Sequence, residues 1–208
     1  MILNQPLHSL SLSFYQRADV LIVARELLGC QLCVRQSDGS LRSGHIVETE
    51  AYAGAEDRAS HAYGHRRTAR TETMYEAGGV AYVYLCYGIH HLLNVVTHQA
   101  DVPHAVLIRG VAMDPEHGLH FNSGAGPGKL TKALGVTRTA HNGLSLLGPK
   151  LWIAEADPPE LSSIRVSPRI GVDYAGDDAW LPYRFYLAAE AGVSKYREPV
   201  VPRPTWAE

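Results

Sequence analysis

From Arg17 the apolar residues Val20, Leu21, Val23, Ala24, Leu27 and Leu28 recur at the spacing of one helical face, and the pattern stops at Gly29, a residue suited to a helix C-terminus. This predicts a helix over 17–28. The period then changes to two. Gln31–Arg35 reads as a strand, Ser37-Asp38-Gly39 as a turn and 45–49 as a returning strand, a hairpin that leads into Glu48, Glu50 and Tyr52. After a polar loop over 54–70, Tyr82, Tyr84 and Cys86 alternate with Val83, Leu85 and Tyr87 in a further strand. Gly88 is the natural turn, 92–97 the returning partner, and Tyr87 falls near the hairpin tip. After Pro103, AVLIRGV is a short strand with one misfit, Arg109; 113–121 permits a helix; a helix opens on Pro127 and runs to Gly135. Residues 152–154 and 183–188 are strand-like, while 1–15 and 198–208 read as irregular. Hairpins outnumber βαβ crossovers, so the fold expected is α+β (mixed α/β), a single domain over 1–208 built on an antiparallel sheet.

Composition narrows the class. At 208 residues and 46% hydrophobic, the chain can bury the core of one domain. The longest apolar stretch, 80–96, is interrupted by Gly88, His90, His91 and Asn94, so no membrane span is expected. The first twenty residues lack the basic start and apolar block of a signal peptide, which points to a cytoplasmic protein. Of three cysteines, Cys30 and Cys33 form C-x-x-C, but an offset of three on a strand sends the thiols to opposite faces, and they are expected to be buried and inert. A net charge of -2 does not announce a nucleic-acid binder. The local run HAYGHRRTAR is different: three arginines and two histidines without an acid, either a solvated loop or a surface for phosphates.

Chemistry concentrates in GHIVETEAYAGAEDRASH. Alternation along a strand puts Glu48, Glu50 and Tyr52 on one face unless a bulge intervenes, and two acids that follow Ile46 and Val47 sit either at an exposed strand end or in a cleft. The guanidinium of Arg109 inside an apolar strand calls for an anionic partner. GAGPGKLT misses the register of a phosphate-binding loop, which argues against nucleotide hydrolysis. The eleven histidines are scattered and no H-E-x-x-H spacing occurs; no metal and no cofactor are expected.

VETEAY, then His61, YVYLCYGIHHLLNVV, VLIRG and GPGKL, in that order, resemble the alkyladenine (3-methyladenine) DNA glycosylase family across most of the chain. The resemblance implies a curved antiparallel sheet with flanking helices, and a protruding β-hairpin that inserts into DNA. It implies monofunctional hydrolysis, without strand cleavage, of the N-glycosidic bond of damaged purines flipped from duplex DNA: 3-methyladenine, 7-methylguanine, and with more help to the leaving base hypoxanthine or ethenoadenine. By position, Glu50 matches the catalytic glutamate and Arg109 an arginine near the catalytic water. Tyr52, His61 and Tyr84 match the residues that sandwich the base, Asn94 the residue that excludes ordinary guanine, and Tyr87 the intercalating tyrosine. Double-stranded DNA is the implied partner, a monomer the implied state and a bacterial nucleoid the implied setting. Phosphate contacts are expected from Arg66, Arg67, Arg70, Lys129 and Lys132, with Arg169 and Arg184 as further candidates. Glu48 is expected to pair with an arginine or to cap a loop amide. His90 and His91 depart from the bulkier apolar pattern expected after the hairpin turn. On the residues alone, a DNA-binding module without catalysis and a small-nucleoside hydrolase stay open.

Overall fold

The computed structural model describes residues 8–114, 120–188, 190 and 192–207. A short helix α1 (Leu12–Tyr15) precedes α2 (Val20–Glu26). The Asp19 carboxylate accepts the amide hydrogens of Leu21 and Ile22 at 2.8 and 3.2 Å, so α2 starts three residues later than periodicity suggests: Asp19 caps its otherwise unpaired first-turn donors. Gly29, at a φ of 86°, lies beyond its end. The strands are β1 (Gln31–Arg35), β2 (Leu41–Tyr52), β3 (Ala81–Cys86), β4 (His90–Thr97), β5 (His104–Met113), β6 (Leu151–Ala154), β7 (Ile164–Ser167) and β8 (Arg184–Leu187). α3 (Pro127–Leu134) and α4 (Arg138–His141) complete the regular elements. The helix allowed over 113–121 falls mostly outside the described residues.

All eight strands join one antiparallel sheet in the order β3-β4-β5-β2-β1-β6, with β8 pairing to β2 and β7. β2 is the spine. One of its edges is covered by β5, and its other edge by β1 at the start and by β8 over Glu48–Glu50. Val23, Ala24 and Leu27 of the α2 segment and Leu130 and Leu134 of α3 pack into the main apolar cluster with Leu32, Ile46, Val83, Leu93, Val95, Val106 and Ile108.

A bulge in β2 decides what the other face carries. Ile46 opposes Val111, Glu48 opposes Gly110 and Thr49 opposes Ile108, which leaves Val47 and Arg109 without a partner across this pair. In an unbroken strand Ile46 and Glu48 would share a face; the inserted residue breaks that parity, so Ile46, Val47 and Ala51 enter the apolar cluster while Glu48, Glu50 and Tyr52 turn together to the other side. Gly110 is required where the segment after β8 presses on β5, since a Cβ there would meet the Gly192 carbonyl at 2.3 Å.

β3 and β4 form the hairpin, its turn at Tyr87 and the expected Gly88, with β4 starting at His90, two residues earlier than the pattern suggests. Tyr87 and Gly88 both take positive φ, 51° and 73°, and the Ile89 N–H bonds the Cys86 carbonyl at 3.2 Å, the positive-φ pairing of a type I′ turn. His90 and His91 have structural work. The His90 ring packs on Gly128, where a Cβ would come within 3.1 Å; His91 accepts the Arg138 amide at 3.0 Å, and its carbonyl accepts from Thr131 Oγ1 at 2.7 Å. The two histidines thus tie the hairpin to α3 and α4. Cys30 and Cys33 are buried in separate apolar clusters, and burial pushes their thiols up to about 11 and about 12. No helix of the described residues is long and apolar enough to cross a membrane.

Candidate active site

Glu50 is fully buried, and among the described residues its carboxylate has three hydrogen-bond partners: Oε1 accepts the Ile170 amide at 2.7 Å, and Oε2 accepts the Tyr52 hydroxyl at 3.0 Å and Arg109 Nη1 at 3.4 Å. Ile170 is reached across 120 residues, from a loop after β7, and nothing in the local pattern foretold that donor. Glu48 is equally buried. It accepts Arg109 Nε at 3.1 Å, Arg184 Nε at 2.6 Å, and the Ser194 amide and hydroxyl at 2.6 and 2.7 Å. Arg109 therefore bridges the two acids, which is how a guanidinium comes to sit inside an apolar strand.

Arg169 and Arg184 are corrected as phosphate candidates. They are 1% and 0% exposed; Arg169 is locked to Asp57 and to the Ala51 carbonyl, Arg184 to Glu48 and Ser167. Both lie in stretches that look like surface loop or strand end in the sequence, and the acids that bury them are more than a hundred positions away.

Beside Glu50 lies an aromatic cavity of about 30 Å³, lined by Tyr52, His61, Tyr82, Tyr84, Asn94 and Tyr174 together with Ala59, Met74 and Ala105. Glu50 does not line it but stands one hydrogen bond behind, through the Tyr52 phenol. The His61 and Tyr84 rings meet edge to face at 4.6 Å, and Tyr82 lies 5.5 Å from Tyr84. The Asn94 amide donates to the Tyr82 carbonyl at 3.1 Å, which fixes its side chain at the cavity wall. The volume suits a water or two, so a planar base fits only if the aromatic walls part. Burial raises the hydroxyl pKa values of Tyr52, Tyr82, Tyr84 and Tyr174, keeping the rings neutral and their hydroxyls as donors. Tyr82 shares β3 and its parity with Tyr84, a signal available in the sequence; Tyr174 sits in a 3-10 helical stretch, Asp173–Trp180, that the sequence pattern does not mark.

His61 is held neutral. Burial, then the nearby Arg70 and Arg66 charges, push its pKa down to about 4. Arg70 Nη2 lies 3.3 Å from His61 Nε2, and His61 Nδ1 lies 3.0 Å from the Tyr82 hydroxyl. A guanidinium can only donate, so Nε2 accepts and Nδ1 carries the hydrogen.

Around the mouth the basic residues differ in how free they are. Arg67 is held by Glu72 and Asp101 and stacks over Tyr75, whereas Arg66 and Arg70 are exposed and form no ion pair among the described residues. Lys129 and Lys132 are exposed on α3. Arg138, unremarkable in the sequence, shares a cleft of about 210 Å³ with Arg70, Tyr84, Leu85 and Asn142, with no carboxylate on its walls. Tyr87 is 92% exposed at the hairpin tip, and Ile89 beside it 72%. A bulky aromatic at positive φ, held in water, pays both a conformational and a hydration cost that the fold does not recover. Among the described residues no group of three or more His, Cys, Asp or Glu is placed to hold a metal ion.

The chain is similar to known proteins over most of its length. A protein of Myxococcus xanthus is 49% identical over 88% of this chain and 92% of its own length. One of Bacillus licheniformis is 45% identical over 91% and 99%, and one of Chlamydia felis 45% over 84% and 94%. Each bears the name "Putative 3-methyladenine DNA glycosylase". The family model for methylpurine-DNA glycosylase matches residues 13–191, and the chain belongs to the methylpurine-DNA glycosylase family.

Proposed function

We propose that this protein removes alkylated or deaminated purines from duplex DNA by hydrolysing the N-glycosidic bond, with Glu50 as the residue that activates water. The observation that carries the reading is a buried carboxylate one phenol behind an aromatic cavity, beneath a hairpin whose tip offers an exposed tyrosine.

A stacked base is out of reach of any side chain, so it must first leave the helix, at a cost of about a few kcal/mol. Tyr87, projecting from a rigid turn, is shaped to enter the vacated step and replace part of the lost stacking. The extruded purine parts Tyr52 from Tyr84 and His61 and stacks between them, a gain of about 1–3 kcal/mol per aromatic contact. Displacing Tyr52 also uncovers Glu50 Oε2, while the Ile170 amide and Arg109 keep the carboxylate in place. As the bond to the base lengthens, the sugar gains oxocarbenium-like charge; Glu50 stabilises that charge and takes the proton of the attacking water. Arg109 orients the acid. Asn94, fixed to the Tyr82 carbonyl at the cavity wall, is placed to crowd the exocyclic amino group of guanine. No lysine lines the cavity, which favours hydrolysis over a Schiff-base route.

Arg66, Arg70, Arg138, Lys129 and Lys132 would grip the phosphates, with Arg67 a lesser contributor because its charge is already paired. The exposed Tyr87 has no use in a small-nucleoside hydrolase. The test is single-turnover excision of 7-methylguanine and hypoxanthine from defined duplexes by the wild type and by Glu50→Gln. Excision by the wild type, and binding without excision by the variant, are expected. A wild type that releases neither base overturns the activity, and an unimpaired Glu50→Gln overturns the role of that residue.

A further inference from the structure

The two tyrosines of the proposed base sandwich are each backed by an arginine. The guanidinium carbon of Arg169 stands 4.8 Å from the centre of the Tyr52 ring. It does not line the aromatic cavity, so it occupies the side of Tyr52 turned away from the base site. It cannot leave: Asp57 accepts from its Nη2 at 2.8 Å, the Ala51 and Asp178 carbonyls accept at 2.9 and 3.2 Å, and Tyr183 covers it at 5.2 Å. Arg70 stands 5.3 Å from the centre of the Tyr84 ring, again absent from the cavity wall and in the neighbouring cleft.

A cation on one face of an aromatic ring draws π density towards itself, and its field reaches through the thin ring, with little screening by water at buried Arg169 and more at exposed Arg70. The opposite face is then a poorer seat for a second cation. A neutral purine is affected much less, because dispersion and apolar burial hold it. The surrounding charges offset this only in part. Glu48 and Glu50 are matched by Arg109 and Arg184; Asp57 pairs with Arg169 and weakens its field, though that carboxylate is shared with the amides of Ala53 and Ala59, and Arg70 forms no ion pair among the described residues. Exposed Arg66 and Arg70 add positive charge at the mouth.

We propose that Arg169 and Arg70 form a charge filter behind the stacking tyrosines, which lowers the excision of purines carrying a formal positive charge relative to neutral damaged purines. This rests on the glycosylase reading and names the substrate class it favours. Both arginines are specificity determinants acting through Tyr52 and Tyr84.

The experiment compares single-turnover excision of 7-methylguanine, a cation, with that of hypoxanthine, which is neutral, from otherwise identical duplexes. Any loss of phosphate contact affects both substrates alike and cancels in the ratio. For Arg70→Met the ratio of cationic to neutral excision is expected to rise roughly threefold to tenfold, and for Arg70→Glu further. The double variant Asp57→Asn with Arg169→Met, which removes the buried pair together, is expected to raise it likewise. An unchanged ratio in Arg70→Met and Arg70→Glu overturns the filter, whether or not the double variant folds. A wild type that excises neither base instead defeats the glycosylase reading, so the two failures are distinct.

Discussion

Glu48 and Glu50 stand two positions apart on β2, face the same side of the sheet and are both fully buried, yet their surroundings divide them. Glu48 is gripped by two guanidinium groups, an amide and a hydroxyl, none from a residue that lines the aromatic cavity. Glu50 has one fixed amide, one long contact to Arg109, and the hydroxyl of a tyrosine that forms the cavity wall. Burial alone therefore does not distinguish a structural acid from the proposed catalytic one. What separates them is whether a partner can be moved aside by a ligand, and only Glu50 has such a partner.

Exchanging the two acids for amides sharpens the contrast. Glu50→Gln keeps the shape and the Ile170 contact while removing the proposed base, so single-turnover excision is expected to fall about 10²- to 10⁴-fold, with lesion affinity retained. Glu48→Gln is expected to act on the fold instead. It leaves Arg184 buried without its counter-ion and Arg109 with only the long contact to Glu50, and breaking a buried pair costs about 3–5 kcal/mol. At this chain length each kcal/mol lowers Tm by about 2–4 °C. Thermal melts of both variants decide it: if Glu48→Gln melts with the wild type, the anchoring role is wrong.

Part of this architecture was legible in the chain and part was not. The α2 segment, the β1–β2 hairpin, the β3–β4 hairpin and the Pro127 helix follow from period, turn residues and caps, all of which act over a few positions. The shared face of Glu48, Glu50 and Tyr52 was also readable, but the bulge at Val47 that makes it compatible with a buried Ile46 was not, because a bulge depends on the partner strand. Arg109 announced itself as a misfit in an apolar strand. Arg169 and Arg184 did not, since their acids, Asp57 and Glu48, come from distant sequence. Arg138 looked ordinary because only the fold brings it beside Arg70.

A second pair of regions extends the comparison: the buried acids against the exposed hairpin tip. Tyr87 holds a positive φ that costs a non-glycine residue on the order of 1 kcal/mol. Tyr87→Gly is therefore expected to keep stability or raise it by up to about 1 kcal/mol, while excision from duplex DNA drops and excision from an already unpaired lesion drops less. Equal loss on both substrates would contradict a wedge at the tip.

The smallest effect expected is a titration, and its sign follows from the pKa. His61 is neutral in the fold with a pKa of about 4, below the usual 6.5 of an unfolded chain. The unfolded state therefore binds the proton first as pH falls. The stability tied to neutral His61 is whole above about 6.5, declines as pH falls towards 4, and is lost below that. Burial is the largest cause and Arg70 the next, so Arg70→Met should raise the pKa of His61 only partway towards 6.5. Following the His61 ring protons by NMR checks both statements. A wild-type midpoint near 6.5 would mean that the imidazole is open to solvent, and with it would go the closed aromatic wall from which the proposed displacement of Tyr52 starts.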